Sequence, residues 1–123
     1  MKRVLVIDDN KEIRENTAEL LALHGYFVLT ASNGREGYNQ ALDKHPDVVL
    51  CDIMMPDSDG KVFFRLIKQD DNTRSIPLIF FSADSGPSEV KRGLIKGAER
   101  YLSKPFTEEE LLEAIRYCTI ESV

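Results

Sequence analysis

The chain has 123 residues, the length of one domain, and carries 21 acidic against 16 basic side chains for a formal net charge of −5. Its 42% hydrophobic and 30% charged residues fit a globular protein with one real core and exclude a disordered chain. No run approaches the ~20 apolar residues needed to span a bilayer, and Val4–Ile7 is too short for a signal-peptide core. The negative charge disfavours direct nucleic-acid binding, which needs a basic footprint. Cys51 and Cys118 lie far apart, one in an apolar run and one late in a helical pattern. That placement argues against a disulfide framework and for a reducing cytoplasm.

Short β-rich runs alternate with helical patterns along the chain. Arg3–Ile7 reads as a buried strand, followed by a helix start over Asp9-Asn10-Lys11-Glu12, an acidic cap with Glu three residues on. Ile13, Thr17, Leu20, Leu21 and His24 recur at helical spacing, and Gly25 can stop that helix. Phe27–Ala31 is a second strand, and Asn33 with Glu36 opens a second helix that ends before Pro46. Val48–Cys51, apolar throughout, reads as a strand buried on both faces. After a loop over Asp52–Gly60, a third helix sets Val62, Phe63, Leu66 and Ile67 on one face. Pro77–Ser82 is the fourth strand. A turn-rich loop, Asp84–Ser88, leads to a short fourth helix carrying Val90, Leu94 and Ile95 and stopping near Gly97. Arg100–Leu102 is the fifth strand. The last helix opens with a capping box, Thr107-Glu108-Glu109-Glu110. Phe106 and Leu111 stand where a hydrophobic staple needs them, and Leu111, Leu112, Ile115 and Cys118 form its buried stripe.

These βα units, without linker or repeat, predict a three-layer, doubly wound α/β fold: five parallel strands joined by right-handed crossovers. In such sheets ligands collect beyond the carboxyl ends of the strands. Strand one ends in Asp8-Asp9, strand three in Asp52, strand four in Ser82 and strand five in Lys104-Pro105, whereas Ala31-Ser32 after strand two offers nothing obviously chemical. Two carboxylates about 5 Å apart repel by roughly 3 kcal/mol at an effective dielectric of about 20, and three mutual pairs by on the order of 10 kcal/mol before screening. Lys104 offsets one charge and a divalent cation neutralises the rest; oxygen-only ligands select a hard ion, Mg2+. Zinc-like Cys/His spacing is absent from the sequence. An anionic pocket with a metal, a Lys and a hydroxyl suits a phosphoryl group, and a free carboxylate can attack phosphorus in line.

Taken in order, four motifs resemble those of the receiver domain of two-component response regulators, the chemotaxis receiver among them. They are Asp8-Asp9, Asp52-Ile53-Met54-Met55-Pro56 with Gly60, Phe81-Ser82-Ala83, and Tyr101-Leu102-Ser103-Lys104-Pro105-Phe106. The resemblance covers essentially the whole chain, 1–123, as a single receiver domain, and implies the flavodoxin-like strand order 2-1-3-4-5. It implies Asp52 as phosphoacceptor, taking its phosphoryl group from a histidine kinase or a histidine phosphotransfer protein. It also implies Mg2+ ligation by Asp9, Asp52 and the Met54 backbone carbonyl, with Asp8 acting mainly through metal-bound water. Lys104 would pair with phosphoryl oxygens, Ser82 would hydrogen-bond one of them, and Tyr101 would turn inward as Ser82 moves. The output surface would be the fourth helix, fifth strand and fifth helix, bearing Lys91, Arg92, Lys96 and Arg100 beside Glu108, Glu109, Glu110 and Glu113. That surface would meet a downstream effector, an output domain or, on phosphorylation, a second copy. The protein would be a cytoplasmic switch, with neither nucleic acid nor membrane as a direct partner, catalysing only its own phosphorylation and dephosphorylation. The resemblance leaves it either stand-alone or a piece of a longer regulator or hybrid kinase.

Other functions fit less well. A haloacid-dehalogenase-type phosphatase wants an acid two residues after the nucleophile, where this chain has Met54, and room for a cap domain. A flavin module wants a Ser/Thr/Gly-rich phosphate loop after strand one, where Asp8-Asp9 would repel phosphate. A degenerate receiver would not keep an intact acidic pocket. Cys51 reads as inert core, and His24 and His45 as helix-end residues.

Overall fold

The computed structural model describes residues 1–53, 59–82, 96–103 and 105–119. Within them the chain runs β1 (Arg3–Ile7), α1 (Lys11–Leu23), β2 (Phe27–Ala31), α2 (Gly34–Lys44), β3 (Val48–Asp52), α3 (Asp59–Gln69), β4 (Leu78–Ser82), β5 (Arg100–Ser103) and α4 (Glu108–Thr119), the last helix. The predicted short helix carrying Val90, Leu94 and Ile95 lies outside the described residues. All neighbouring strands pair parallel, in the order β2-β1-β3-β4-β5.

Alternation along the strands builds two cores, one on each face of the sheet. Leu5, Ile7, Val49, Cys51, Leu78 and Phe80 join Ala41 of α2 and Phe63 and Ile67 of α3 on one face. Val4, Val6, Val48, Leu50, Ile79 and Phe81 join Leu21 of α1 and Leu111, Leu112, Ala114 and Ile115 of α4 on the other. β3 and β4 are buried along their whole length. Cys51 is buried core, as its apolar context suggests. Of the predicted α3 face, Phe63 and Ile67 are buried, whereas Val62 and Leu66 are only half-buried.

The helix boundaries follow local chemistry. Gly25 adopts a φ of 89° directly after His24, the α1 C-cap, a conformation a β-carbon disfavours. His45 closes α2 in the left-handed region, just ahead of Pro46. The capping box opening α4 forms both ways: Glu110 N–H donates to Thr107 Oγ1 at 3.0 Å and Thr107 N–H to Glu110 Oε1 at 3.1 Å. His24 Nε2 also lies 2.7 Å from Glu108 Oε1, a tie between α1 and the first turn of α4 that links residues 84 apart in sequence. Several boundaries differ from expectation: β3 extends to Asp52, α3 takes in Asp59 and Gly60, β4 begins at Leu78 and β5 runs on to Ser103. The α1 cap is Asn10, whose side chain accepts the Ile13 N–H at 3.0 Å, and not Asp9.

α2 approaches β1 so closely that a β-carbon on Gly37 would stand 2.3 Å from Ile7 Cδ1 and 2.9 Å from Cγ1. Near the end of α3, Asp70 gathers a small network: the Tyr38 hydroxyl donates to its Oδ2 at 2.6 Å and the Asn72 N–H to its Oδ1 at 2.8 Å. These bonds, Tyr38 first, hold the Asp70 carboxyl below the usual carboxylate range, and the Asp70 carboxylate holds the Tyr38 phenol above its usual value.

Two outcomes follow from this packing. Gly37→Ala gains about 1 kcal/mol of helix propensity but overpacks Ile7 at a cost of about 1–3 kcal/mol, so a net loss of about 1 kcal/mol is expected in urea unfolding. Tyr38→Phe removes the bond that lowers the Asp70 pKa. A depressed carboxyl contributes stability that is present above its unfolded value, about pH 4, and lost as pH falls through the folded value. The Tm deficit of Tyr38→Phe should therefore be full at pH 7 and shrink toward pH 3, as thermal melts followed by circular dichroism would record.

Candidate functional site: a three-carboxylate pocket at the sheet edge

The carboxyl ends of β1 and β3, neighbours in the sheet, deliver the acids. Asp8 stands one residue past β1, and its N–H donates to the Ala31 carbonyl at 3.1 Å, extending the β1–β2 ladder by one bond. Its Oδ1 accepts the Asn10 N–H at 2.9 Å, the short-range turn that Asp side chains favour. Asp52 is the last residue of β3, opposite Phe81 of β4, and the next residue, Ile53, donates to the Phe81 carbonyl at 2.9 Å. Asp8 and Asp52 are 1% and 7% exposed, whereas Asp9 is open to solvent. One carboxylate oxygen from each of Asp8, Asp9 and Asp52 lies within 4.8 Å of the others.

Because Asn10 caps α1, the Asp9 carboxylate is not engaged as the helix cap and stands in this cluster instead. The cluster also sits beside the N-terminus of α1, whose free N–H groups and dipole favour negative charge. An all-oxygen carboxylate set that close together is donor chemistry for a hard divalent cation. No other group of three or more acidic, His or Cys side chains placed to hold a metal occurs among the described residues.

Ser82 ends β4, the strand next to β3, and is 1% exposed. Tyr101 lies on β5 opposite Phe80 and packs, half-buried, against the core shared with α2 and α3. Met54 and Lys104 lie outside the described residues. The structure thus brings Asp8, Asp9 and Asp52 together and sets Ser82 one strand away.

Sequence reasoning missed Arg14. Its Nη1 donates to the Asp8 main-chain carbonyl at 2.9 Å, from the first turns of α1. A side chain reaching back to a backbone oxygen six residues earlier leaves no compositional trace, so only the helix phase reveals it. The face along β5 and α4 is mixed in charge: the Arg100 guanidinium stacks 3.9 Å from the Tyr117 ring centroid, with Glu113 and Arg116 lining the same cavity of about 440 Å3. Burial pushes the neighbouring Cys118 thiol up to about 11, Glu99 adding to the shift and Arg100 opposing it, so this sulfur stays protonated and unreactive at neutral pH. Among the described residues no helix is long and apolar enough to cross a membrane.

Comparison with known proteins agrees with this geometry. Residues 4–116 match the family model of the response regulator receiver domain. Protein PilG of Pseudomonas aeruginosa is 41% identical over 114 residues, covering 93% of this chain and 84% of PilG. The phosphate regulon transcriptional regulatory protein PhoB of the same species is 35% identical over 115 residues, covering 94% of this chain but 50% of PhoB. Thus the chain spans most of PilG and about half of PhoB. Among solved structures, the Vibrio cholerae chemotaxis protein CheY4 superposes with a TM-score of 0.85 at 31% identity, covering 96% of this chain and 98% of CheY4. The receiver domain of the sensor histidine kinase PA1611 from P. aeruginosa PAO1 does so with a TM-score of 0.86 at 26% identity, covering 96% and 97% of the two chains. That structure holds a magnesium ion coordinated in its active site cleft. With the matched residues spanning nearly all of β1 through α4 and the acidic pocket at the expected sheet edge, the chain belongs to the response regulator receiver domain family.

Proposed function

We propose that the chain, taken from 1 to 123 as a single receiver domain, is a signalling switch that accepts a phosphoryl group from a phosphohistidine onto Asp52. The convergence of Asp8, Asp9 and Asp52 within 4.8 Å carries this reading, because like charges held that close need a cation or a cationic partner to persist. Asp8, Asp9 and Asp52, with the Met54 carbonyl, would hold Mg2+, whose charge when bound offsets that of the carboxylates and phosphoryl oxygens. A carboxylate oxygen of Asp52 forms the new O–P bond as the donor's P–N bond breaks, and the bonding pair leaves on the histidine nitrogen. Lys104 neutralises phosphoryl charge from the end of β5, and the Ser82 hydroxyl donates to a phosphoryl oxygen.

Phosphorylation takes the pocket from about 0 (three carboxylates, Lys104 and Mg2+) to about −1, since an acyl phosphate dianion replaces a carboxylate. The new oxygens draw the Ser82 hydroxyl, and Tyr101 moves into the space it vacates, which carries the change to β5 and α4. This is a local charge event biasing a two-state element. Exposed β5 and α4 residues, Arg100, Glu113, Arg116 and Tyr117 among them, then meet the partner: a downstream effector, an output domain or a second copy. The donor is a histidine kinase or a histidine phosphotransfer protein, the setting is the cytoplasm, and turnover is confined to the chain's own Asp52. The magnesium of the PA1611 receiver structure supports the cofactor assignment.

Intact-mass spectrometry after incubation with acetyl phosphate and Mg2+ tests this. Wild type should gain the mass of one phosphoryl group, whereas Asp52→Asn, and wild type treated with EDTA, should gain none. Equal labelling of Asp52→Asn would move the acceptor elsewhere, and no labelling of wild type from any donor would leave a receiver that works by binding alone. Lys104→Ala is expected to take up phosphate yet fail to change partner affinity, as a pull-down of the phosphorylated protein would show.

A further inference from the structure

The peptide unit joining Asp8 to Asp9 lies where the chain leaves β1 beside the pocket. The last sheet hydrogen bond on this segment is the one from Asp8 N–H to Ala31. Beyond it the chain leaves the sheet, and Asp9 is solvent-exposed. An uncompensated change of ψ at Asp8 would tilt this peptide plane and carry the Asp9 Cα, and with it the carboxylate, away from Asp8 and Asp52 while leaving both strands in place. The carbonyl of that same peptide unit is the oxygen that accepts Arg14 Nη1 at 2.9 Å. Arg14 is itself anchored, because its N–H bonds the Asn10 carbonyl at 2.9 Å in the first turn of α1. Arg14 is half-buried and the bond itself part-buried, which strengthens a charge-assisted hydrogen bond relative to a fully solvated one.

We infer that Arg14 is a positioning residue of the acidic pocket: by clamping the Asp8 carbonyl to α1 it fixes the peptide plane that aims Asp9 at Asp8 and Asp52. The inference rests on the reading of the pocket as a Mg2+ site and goes beyond it in naming what holds the site open for the ion. Charge and geometry predict opposite signs here. Removing a positive charge beside three carboxylates tightens cation binding by Coulomb's law, whereas freeing the Asp8–Asp9 peptide loosens it. Weaker Mg2+ binding in a variant without the guanidinium therefore reports geometry and cannot come from the lost charge.

Two measurements on Arg14→Ala and Arg14→Lys decide it. In metal-free protein, NMR hydrogen exchange at the Asn10 amide, which bonds Asp8 Oδ1, should quicken about fivefold or more in Arg14→Ala, with Leu5–Ile7 amides unchanged. Calorimetric titration with MgCl2 alone should show affinity falling about tenfold in Arg14→Ala. Arg14→Lys, which keeps a donor of similar reach, should stay within about twofold of wild type in both readouts. Unchanged Asn10 exchange, or Mg2+ binding as tight as wild type or tighter in Arg14→Ala, overturns the positioning role. If wild type itself binds no Mg2+, the cofactor assignment fails, and the exchange measurement still decides the role of Arg14.

Discussion

Three carboxylates held within 4.8 Å of one another set the terms for the rest of this molecule. Left alone they would push apart, and the fold opposes this with positive potential and with rigidity. An amide N–H is turned onto Asp8, the N-terminus of α1 stands beside the cluster, and a guanidinium grips the carbonyl between two of the acids. Asn10 takes over the capping of α1, which keeps Asp9 available to the cluster. Such a pocket is charged for a cation, and a cation bound there prepares it for an anion. That is the logic on which the proposed phosphoryl-accepting role rests.

Rigidity comes from where the acids are mounted. β3, which ends in Asp52, and β4, which ends in Ser82, are buried along their whole length. Ile7, immediately before Asp8, is fully buried beneath the close approach of α2 at Gly37. β5, by contrast, is an edge strand exposed at both ends and half-buried between them. The acidic cluster is therefore mounted on the buried strands β1 and β3, and the proposed switch aromatic, Tyr101, on a more exposed edge strand, where local opening costs less.

The relatives differ in how much of their length this chain covers. PilG is mostly matched by this chain, whereas PhoB and the response regulator MprA of Mycolicibacterium vanbaalenii are matched over about half their length. The β5–α4 face of this chain combines Arg100 stacked on Tyr117 with Glu113 and Arg116, so it presents both signs of charge beside an aromatic surface.

Every described strand, the order of the elements and the acids at the strand ends were legible in the amino-acid order alone. Apolar runs between capped helices report their own burial, and a strand that stops at an Asp announces its end. The capping box at Thr107 and the helix stop at Gly25 are equally local signals, and both formed as written. Asn10 rather than Asp9 as the cap, the His24–Glu108 tie, the Tyr38–Asp70 bond and the reach of Arg14 to Asp8 were decided only in three dimensions. Each depends on helix phase or on two segments meeting across the fold, and neither rotation nor approach is encoded by residue type at a single position. Sequence specified which groups could do the chemistry; the packing of α1 against the sheet determined how far apart they stand and which way they point.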